Sequence, residues 1–217
     1  KNQSPYPHVI LDDFLDRNFF NNLDVEKIEV NKEKGKNFQT DIEKNKWASK
    51  NVELSESISL IVKELYKDEF VNNLRKLTDI EDLFSTDVGN VELANYHEMY
   101  ESGFLGTHVD HSSEPTTGLP HVLNIILYLS KDWSKSWGGS TVFANKNGTK
   151  IEKTIDYIPN RAVIFLHSPF TFHGVTKIEN NQKKRSTIYV YYYSKNKKPY
   201  THLKLNFYNL WFKHQTT

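Results

Sequence analysis

From Val91 onward the chain is a run of short segments rich in Val, Ile, Tyr, Phe and Thr, cut roughly every ten residues by Gly, Asn, Pro or Ser breakers. Eight such segments can be read: Val91–Tyr100, Phe104–Asp110, His121–Leu129, Ser140–Phe143, Lys150–Tyr157, Ala162–Leu166, Thr171–Thr176 and Ser186–Ser194. Segments this short and this β-prone cannot form a helical bundle. They must pair, and eight antiparallel strands in two facing sheets make a jelly roll, or double-stranded β-helix. The expected fold is therefore mainly β, with N-terminal helices packed on one sheet.

The first ninety residues read differently. Residues 5–11 form a short strand behind two prolines, and Asp12 or Asp13 can cap a helix carrying Phe14, Leu15, Phe19 and Leu23 on its apolar face. From Asn31 to Lys50 the chain is rich in Lys and Asn and reads as a surface loop. Leu54, Ile58, Ile61 and Leu65 recur at helical spacing, and the pattern runs on to Leu77, predicting one long amphipathic helix that buttresses the sheet. Asp79 to Asn90 reads as an acidic connector. In a single domain of 217 residues, 1–90 thus supply helical support, 91–194 the jelly-roll core and 195–217 a tail. The alternation of Leu203, Leu205 and Phe207 in that tail fits an edge strand or a short helix.

Composition narrows the chemistry by exclusion. The absence of cysteine removes disulfides, thiolate nucleophiles and Cys-ligated metal sites, so a metal here would be held by His, Asp or Glu. A net charge of +1 gives no general attraction to nucleic acid or to an anionic membrane. No apolar run is long enough to span a bilayer. With no signal peptide visible, the expected compartment is the cytoplasm.

The most informative chemistry lies in Gly103-Phe-Leu-Gly-Thr-His108-Val109-Asp110. Alternate side chains of a strand share a face, so His108 and Asp110 point together while Val109 points away. An imidazole and a carboxylate side by side make two thirds of a 2-His-1-carboxylate triad, which holds Fe(II) and leaves open coordination positions. His173, on the seventh strand, is the candidate third ligand, with His167, His111 and His121 as rivals. Arg185 opens the strand Arg185-Ser-Thr-Ile-Tyr-Val-Tyr-Tyr-Tyr. Beside Lys183 and Lys184 it reads either as an edge charge in a solvated turn or as an inward guanidinium gripping a dicarboxylate at two points.

The order of these features resembles the Fe(II)/2-oxoglutarate-dependent dioxygenases, in particular their prolyl-4-hydroxylase-like branch. The resemblance rests on Tyr100-x-x-Gly103-Phe104-Leu105-x-x-His108-x-Asp110, on Asn124-Ile-Ile-Leu-Tyr128-Leu-Ser-Lys-Asp-Trp133 followed by Gly138-Gly139, and on Pro159-Asn-Arg-Ala-Val-Ile-Phe165 followed by His173-x-Val175 and Arg185. The opening Tyr6-Pro-His-Val-Ile-Leu-Asp-Asp-Phe-Leu is similar to the branch's usual start. The resemblance implies His108, Asp110 and His173 as iron ligands, and Arg185 with Tyr128 on the distal carboxylate of 2-oxoglutarate. It implies Tyr100, Thr187 and Tyr189 as further walls of that pocket. It also implies O2 as cosubstrate, ascorbate as an accessory ligand, and hydroxylation of a prolyl residue in a peptide or protein, or of a free amino acid or other small molecule, with release of succinate and CO2. Related halogenases lack the carboxylate that Asp110 supplies, which points to hydroxylation. Two departures from the branch are Ser130 in place of its usual Asn and a slightly longer interval from His173 to Arg185.

Two other readings use the same residues. The triad could hold zinc for hydrolysis, although no H-E-x-x-H motif and no obvious general base accompany it. Alternatively the jelly roll is a cupin- or lectin-like binding module whose histidines are structural.

Overall fold

A computed structural model describes residues 4–50, 55–85, 94–179 and 182–196 of the chain. Among these residues are eleven strands: β1 (His8–Leu11), β2 (Lys36–Phe38), β3 (Glu43–Lys50), β4 (Leu83–Ser85), β5 (Ala94–His108), β6 (His121–Tyr128), β7 (Thr141–Ala144), β8 (Ile151–Ile155), β9 (Ala162–Leu166), β10 (His173–Val175) and β11 (Arg185–Ser194). Three α-helices accompany them: α1 (Arg17–Asn22), α2 (Glu56–Tyr66) and α3 (Asp68–Thr78). The strands form one antiparallel sheet in the order β1-β9-β6-β11-β5-β10-β7-β8, with β3 also on β5, β2 on β3 and β4 on β11. The sheet curls on itself, as the expected jelly roll requires.

The curl depends on β5. Its first half pairs with β11, Leu105 and His108 pair with β10, and β3 runs along both halves on the other edge. The strand turns at Ser102, whose φ of 62° lies in the left-handed region. Backbone bonds from Ser102 N to Ile178 O (2.8 Å) and from Ile178 N to Gly103 O (2.9 Å) hold the turn. The segments Val91–Tyr100 and Phe104–Asp110, read from sequence as two strands, fall on one bent strand that ends at His108, two residues short of Asp110; residues 91–93 lie outside the described residues. The long interval between His173 and Arg185 is what lays Ile178 across this turn.

Alternation then sorts side chains between two cores. On β11, Ile188, Val190 and Tyr192 join the cluster beneath the helices, while Tyr189, Tyr191 and Tyr193 join the cluster inside the curl. β6 divides likewise, with Leu123, Ile125 and Leu127 outward and Ile126 and Tyr128 inward. Ile58, Ile61, Val62 and Leu65 of α2 are buried against the outer face, each contributing about 1.5–3 kcal/mol.

Several sequence expectations change. The Asn31–Lys50 loop contains a β-hairpin, β2–β3, whose second strand runs along β5 from Lys50↔Asn95 to Glu43↔Leu105. Its Lys- and Asn-rich sequence has little β-propensity, so the strand is stabilised by pairing with a distant partner. The first ninety residues therefore supply strands as well as helices. The long helix is two, because Lys67 is extended (ψ 144°) and serves as C-cap of α2 and N-cap of α3. Asp16, not Asp12 or Asp13, caps α1, accepting a hydrogen bond from Phe19 N at 2.9 Å. Asp12 instead forms a two-point pair with Arg161. The tail from His202 to Phe212 lies outside the described residues. No helix among the described residues is long and apolar enough to cross a membrane.

Candidate active site

The end of β5 and the start of β10 meet at one point. His108 and His173 are register partners across the ladder, and their ring centroids lie 4.4 Å apart. Asp110, two residues past His108, bridges them: Oδ1 lies 3.3 Å from His108 Nε2 and Oδ2 lies 3.4 Å from His173 Nε2. One ligand atom from each of the three falls within 4.8 Å of the others, the spacing of a set that could hold a metal ion. Close approach of the two strands depends on Gly174, where a Cβ would meet Leu105 O at 2.6 Å.

The local backbone orients both imidazoles. His108 Nδ1 lies 3.0 Å from Gly106 O, and His173 Nδ1 lies 3.1 Å from Thr171 O. A ring that donates Nδ1–H to a carbonyl presents a bare Nε2, the form a metal takes. Asn124 of β6 donates from Nδ2 to Asp110 Oδ2 at 3.2 Å. Burial alone would raise the Asp110 carboxyl, but His173 and His108 beside it hold it well below the usual carboxylate range. Burial, with His173 adding to it, pushes His108 down, so it favours the neutral ring that ligates.

Farther along the same inner face sits Arg185, only 1% exposed. Its Nε donates to Gly139 O at 2.7 Å and its Nη1 lies 3.5 Å from Thr187 Oγ1. The guanidinium carbon lies 5.4 Å from the centre of the Tyr128 ring and 5.0 Å from that of Tyr157, which stack on each other. Among the described residues Nη2 has no partner, and no carboxylate pairs with this cation. A buried, uncompensated guanidinium with a free donor is costly unless an anion completes it. Asn124, Ile126 and Tyr128 line the inner face of β6, so about 13 Å of strand separates the Asp110 contact from the Arg185 contact.

The other sequence candidates fall on both sides of the sheet. Thr187 and Tyr189 face inward with Arg185. Tyr128 faces inward too, but its hydroxyl donates to Thr141 Oγ1 at 2.5 Å and its ring, rather than its hydroxyl, meets the guanidinium. Tyr100 alternates with the inward Met99, on the side of Tyr96 and Glu98, and its hydroxyl donates to Glu98 Oε2 at 2.7 Å. The neighbouring Lys184, read as part of a solvated turn, is buried and paired with Glu98 Oε1 at 3.0 Å. The rival histidines form a separate stack. His121 lies between His111 and His167, at centroid distances of 4.8 and 4.1 Å, and both its nitrogens face carbonyls. Asn124 and Gly139 were not foreseen. Asn124 was detectable as the one polar residue within the apolar run Val122–Leu127, whereas the role of Gly139 is made by its backbone carbonyl and carries no sequence signal.

Residues 92–193, which include all of these inward-facing groups, match the sequence model of the 2OG-Fe(II) oxygenase superfamily. That stretch carries the sequence pattern of the superfamily. The chain is a 2-oxoglutarate-dependent dioxygenase, and its cofactor and cosubstrates are Fe(II), 2-oxoglutarate and O2. No curated protein sequence matches this oxygenase. Solved structures resemble it at low identity and share its fold. A prolyl-4-hydroxylase from Pseudomonas putida is 13% identical, covering 89% of this chain and 96% of its own, with a TM-score of 0.63. A prolyl hydroxylase from Trichoplax adhaerens, in complex with a hypoxia inducible factor oxygen degradation domain peptide fragment, is 15% identical over 87% and 84%, with a TM-score of 0.60. HygX from Streptomyces hygroscopicus, with nickel, 2-oxoglutarate and hygromycin B bound, is 8% identical over 88% and 84%, with a TM-score of 0.58.

Proposed function

We propose that this oxygenase hydroxylates an unactivated C–H of a prolyl residue within a peptide or protein, converting 2-oxoglutarate to succinate and CO2. The observation that carries the cosubstrate assignment is the buried Arg185 guanidinium, whose unpartnered Nη2 shares an inner face with the His108–Asp110–His173 cluster. The donor set of two imidazoles and one carboxylate fits Fe(II), and the orphaned cation fits a dicarboxylate.

In this reading His108, Asp110 and His173 are the iron ligands. Arg185 grips the distal carboxylate of 2-oxoglutarate, while Thr187, Tyr189 and the ring of Tyr128 wall its pocket. When bound, iron and 2-oxoglutarate supply the oxidising chemistry, in which decarboxylation of the oxo acid by O2 is coupled to transfer of one oxygen atom to the substrate. The chain positions these groups and excludes water. Tyr128, Phe143, Phe165 and Tyr193 are among the interior rings that keep the chamber apolar.

The prolyl assignment is supported by the likeness to two prolyl hydroxylases, one of them in complex with a peptide. Tyr191 and Tyr193 continue the inner row of β11, and His111 and His121 lie edge-on to Tyr191 at 4.9 Å. Neutral rings of this kind suit an apolar pyrrolidine. The likeness to HygX with hygromycin B favours a second reading, a free amino acid or other small molecule as substrate. Incubating the Fe(II)-loaded protein with 2-oxoglutarate, O2 and either prolyl peptides or free amino acids tests both readings. The peptide should gain the mass of one oxygen atom as succinate forms, and gain confined to free amino acids would replace the prolyl assignment.

A further inference from the structure

One buried polar group of the chamber has no role so far. His97 lies on the first half of β5, opposite Thr187 of β11, and Thr187 is in turn opposite Tyr128 of β6. The three residues form one row across the sheet at the level of Arg185. His97 is 9% exposed, its ring stands 4.5 Å from that of Tyr189, and its Nδ1 is buried with no partner among the described residues. On its other side β3 brings Ala48 into register, and Phe38 closes over the ring at 6.5 Å. Burial, then Lys46 and Arg185, pushes the ring well below the usual histidine range, while Asp110 pulls the other way. The residue thus feels both the cation at one end of the chamber and the carboxylate at the other. A neutral imidazole carries one N–H, and an unpaired polar atom in such a site is unfavourable unless a ligand completes it.

We infer that His97 is a cosubstrate-binding residue, whose Nδ1–H donates to the same distal carboxylate that Arg185 grips. The inference rests on the proposed function and adds to it a neutral donor, beside the cation, that selects dicarboxylic over monocarboxylic 2-oxo acids.

Calorimetric titration of the Mn(II)-loaded protein tests this without turnover. His97→Phe keeps a ring against Tyr189 and should weaken 2-oxoglutarate binding about tenfold or more, as expected for a hydrogen bond to a charged group. His97→Asn places an amide near the position of Nδ1 and should restore binding to within about threefold of wild type. Binding of 2-oxopentanoate, which has the same carbon chain without the distal carboxylate, should be the same in all three proteins. Equal affinity of His97→Phe and wild type for 2-oxoglutarate overturns the inference and leaves the role of Arg185 intact. An equal loss for both oxo acids also overturns it, assigning His97 to packing. A wild-type protein that binds no 2-oxoglutarate overturns the proposed function together with this inference. Circular dichroism melts of each variant separate loss of binding from loss of fold.

Discussion

His173 stands directly across from His108 in the β5–β10 ladder, with Asp110 bridging both Nε2 atoms at 3.3 and 3.4 Å. The two histidines are far apart in sequence, so their meeting is made by the bend in β5 and the short β10 strand. Both rings take their orientation from backbone carbonyls.

Replacing His108 by Ala should abolish metal binding while leaving the sheet paired, since the ladder of β5 is backbone. Losing a hydrogen bond that orients a metal ligand costs about 10–100-fold, so loss of the ligand itself should lower activity by more than about 100-fold. Metal content by mass spectrometry, alongside a far-ultraviolet dichroism spectrum, checks both parts.

Arg185→Leu removes the charge that has no carboxylate partner among the described residues. The 2-oxoglutarate requirement should rise about tenfold or more, as for loss of a charge-assisted hydrogen bond, with Mn(II) affinity unchanged. A saturation curve for 2-oxoglutarate in the variant reads this, and an unmoved curve would assign the dicarboxylate to another cation.

Gly139→Ala should act on the same site through the backbone. Gly139 has φ of +72°, and a Cβ there would lie 3.1 Å from both Arg185 Cδ and Trp133 Cζ2. Strain of this kind costs about 1–3 kcal/mol. The melting temperature should fall, and 2-oxoglutarate binding should weaken as Arg185 shifts.

Lys184→Met should expose the dependence of the outer face on a buried ion pair. Glu98 is fully buried and Lys184 nearly so, and their 3.0 Å contact lies beside Tyr100. Removing one member of a buried pair leaves an uncompensated charge and costs about 3–5 kcal/mol. Urea denaturation of the variant should show that loss, and replacing Glu98 with Gln in the same chain should recover part of it.

Stability should decline in mild acid. Burial pushes His97, His121 and His167 below the usual histidine range. A depressed folded-state value means the unfolded chain binds the proton more tightly. The contribution is therefore fully present above the unfolded value of about 6.5 and is lost as the pH falls below it. Each histidine contributes a slope of at most about 1.4 kcal/mol per pH unit in that window. Melting temperatures of the metal-free protein measured downward from neutral pH should fall, and a flat profile to well below that value would contradict the buried neutral assignment.

The sequence by itself determined the strand segments of the core, because alternation and turn residues are local signals. His121–Leu129, Ala162–Leu166 and Ser186–Ser194 correspond to β6, β9 and β11 within two residues at each end. It also singled out His108 and Asp110 as neighbours, and they do meet, although β5 ends at His108 and the strand period does not extend to Asp110. Tertiary structure decided what pairing over distance decides. The polar hairpin β2–β3 is a strand pair because β5 offers it an edge, and the apolar period from Leu54 to Leu77 breaks at Lys67 because helices packed on a curved sheet are held by their contacts more than by propensity. Alternation on β5 separates His97 and Met99 from Tyr96, Glu98 and Tyr100, but which of the two sets faces inward is decided by how the sheet curls, and no local pattern reports it. The choice of His173 over His111, His121 and His167 belongs to the same class, since only the closed sheet sets which imidazole faces Asp110.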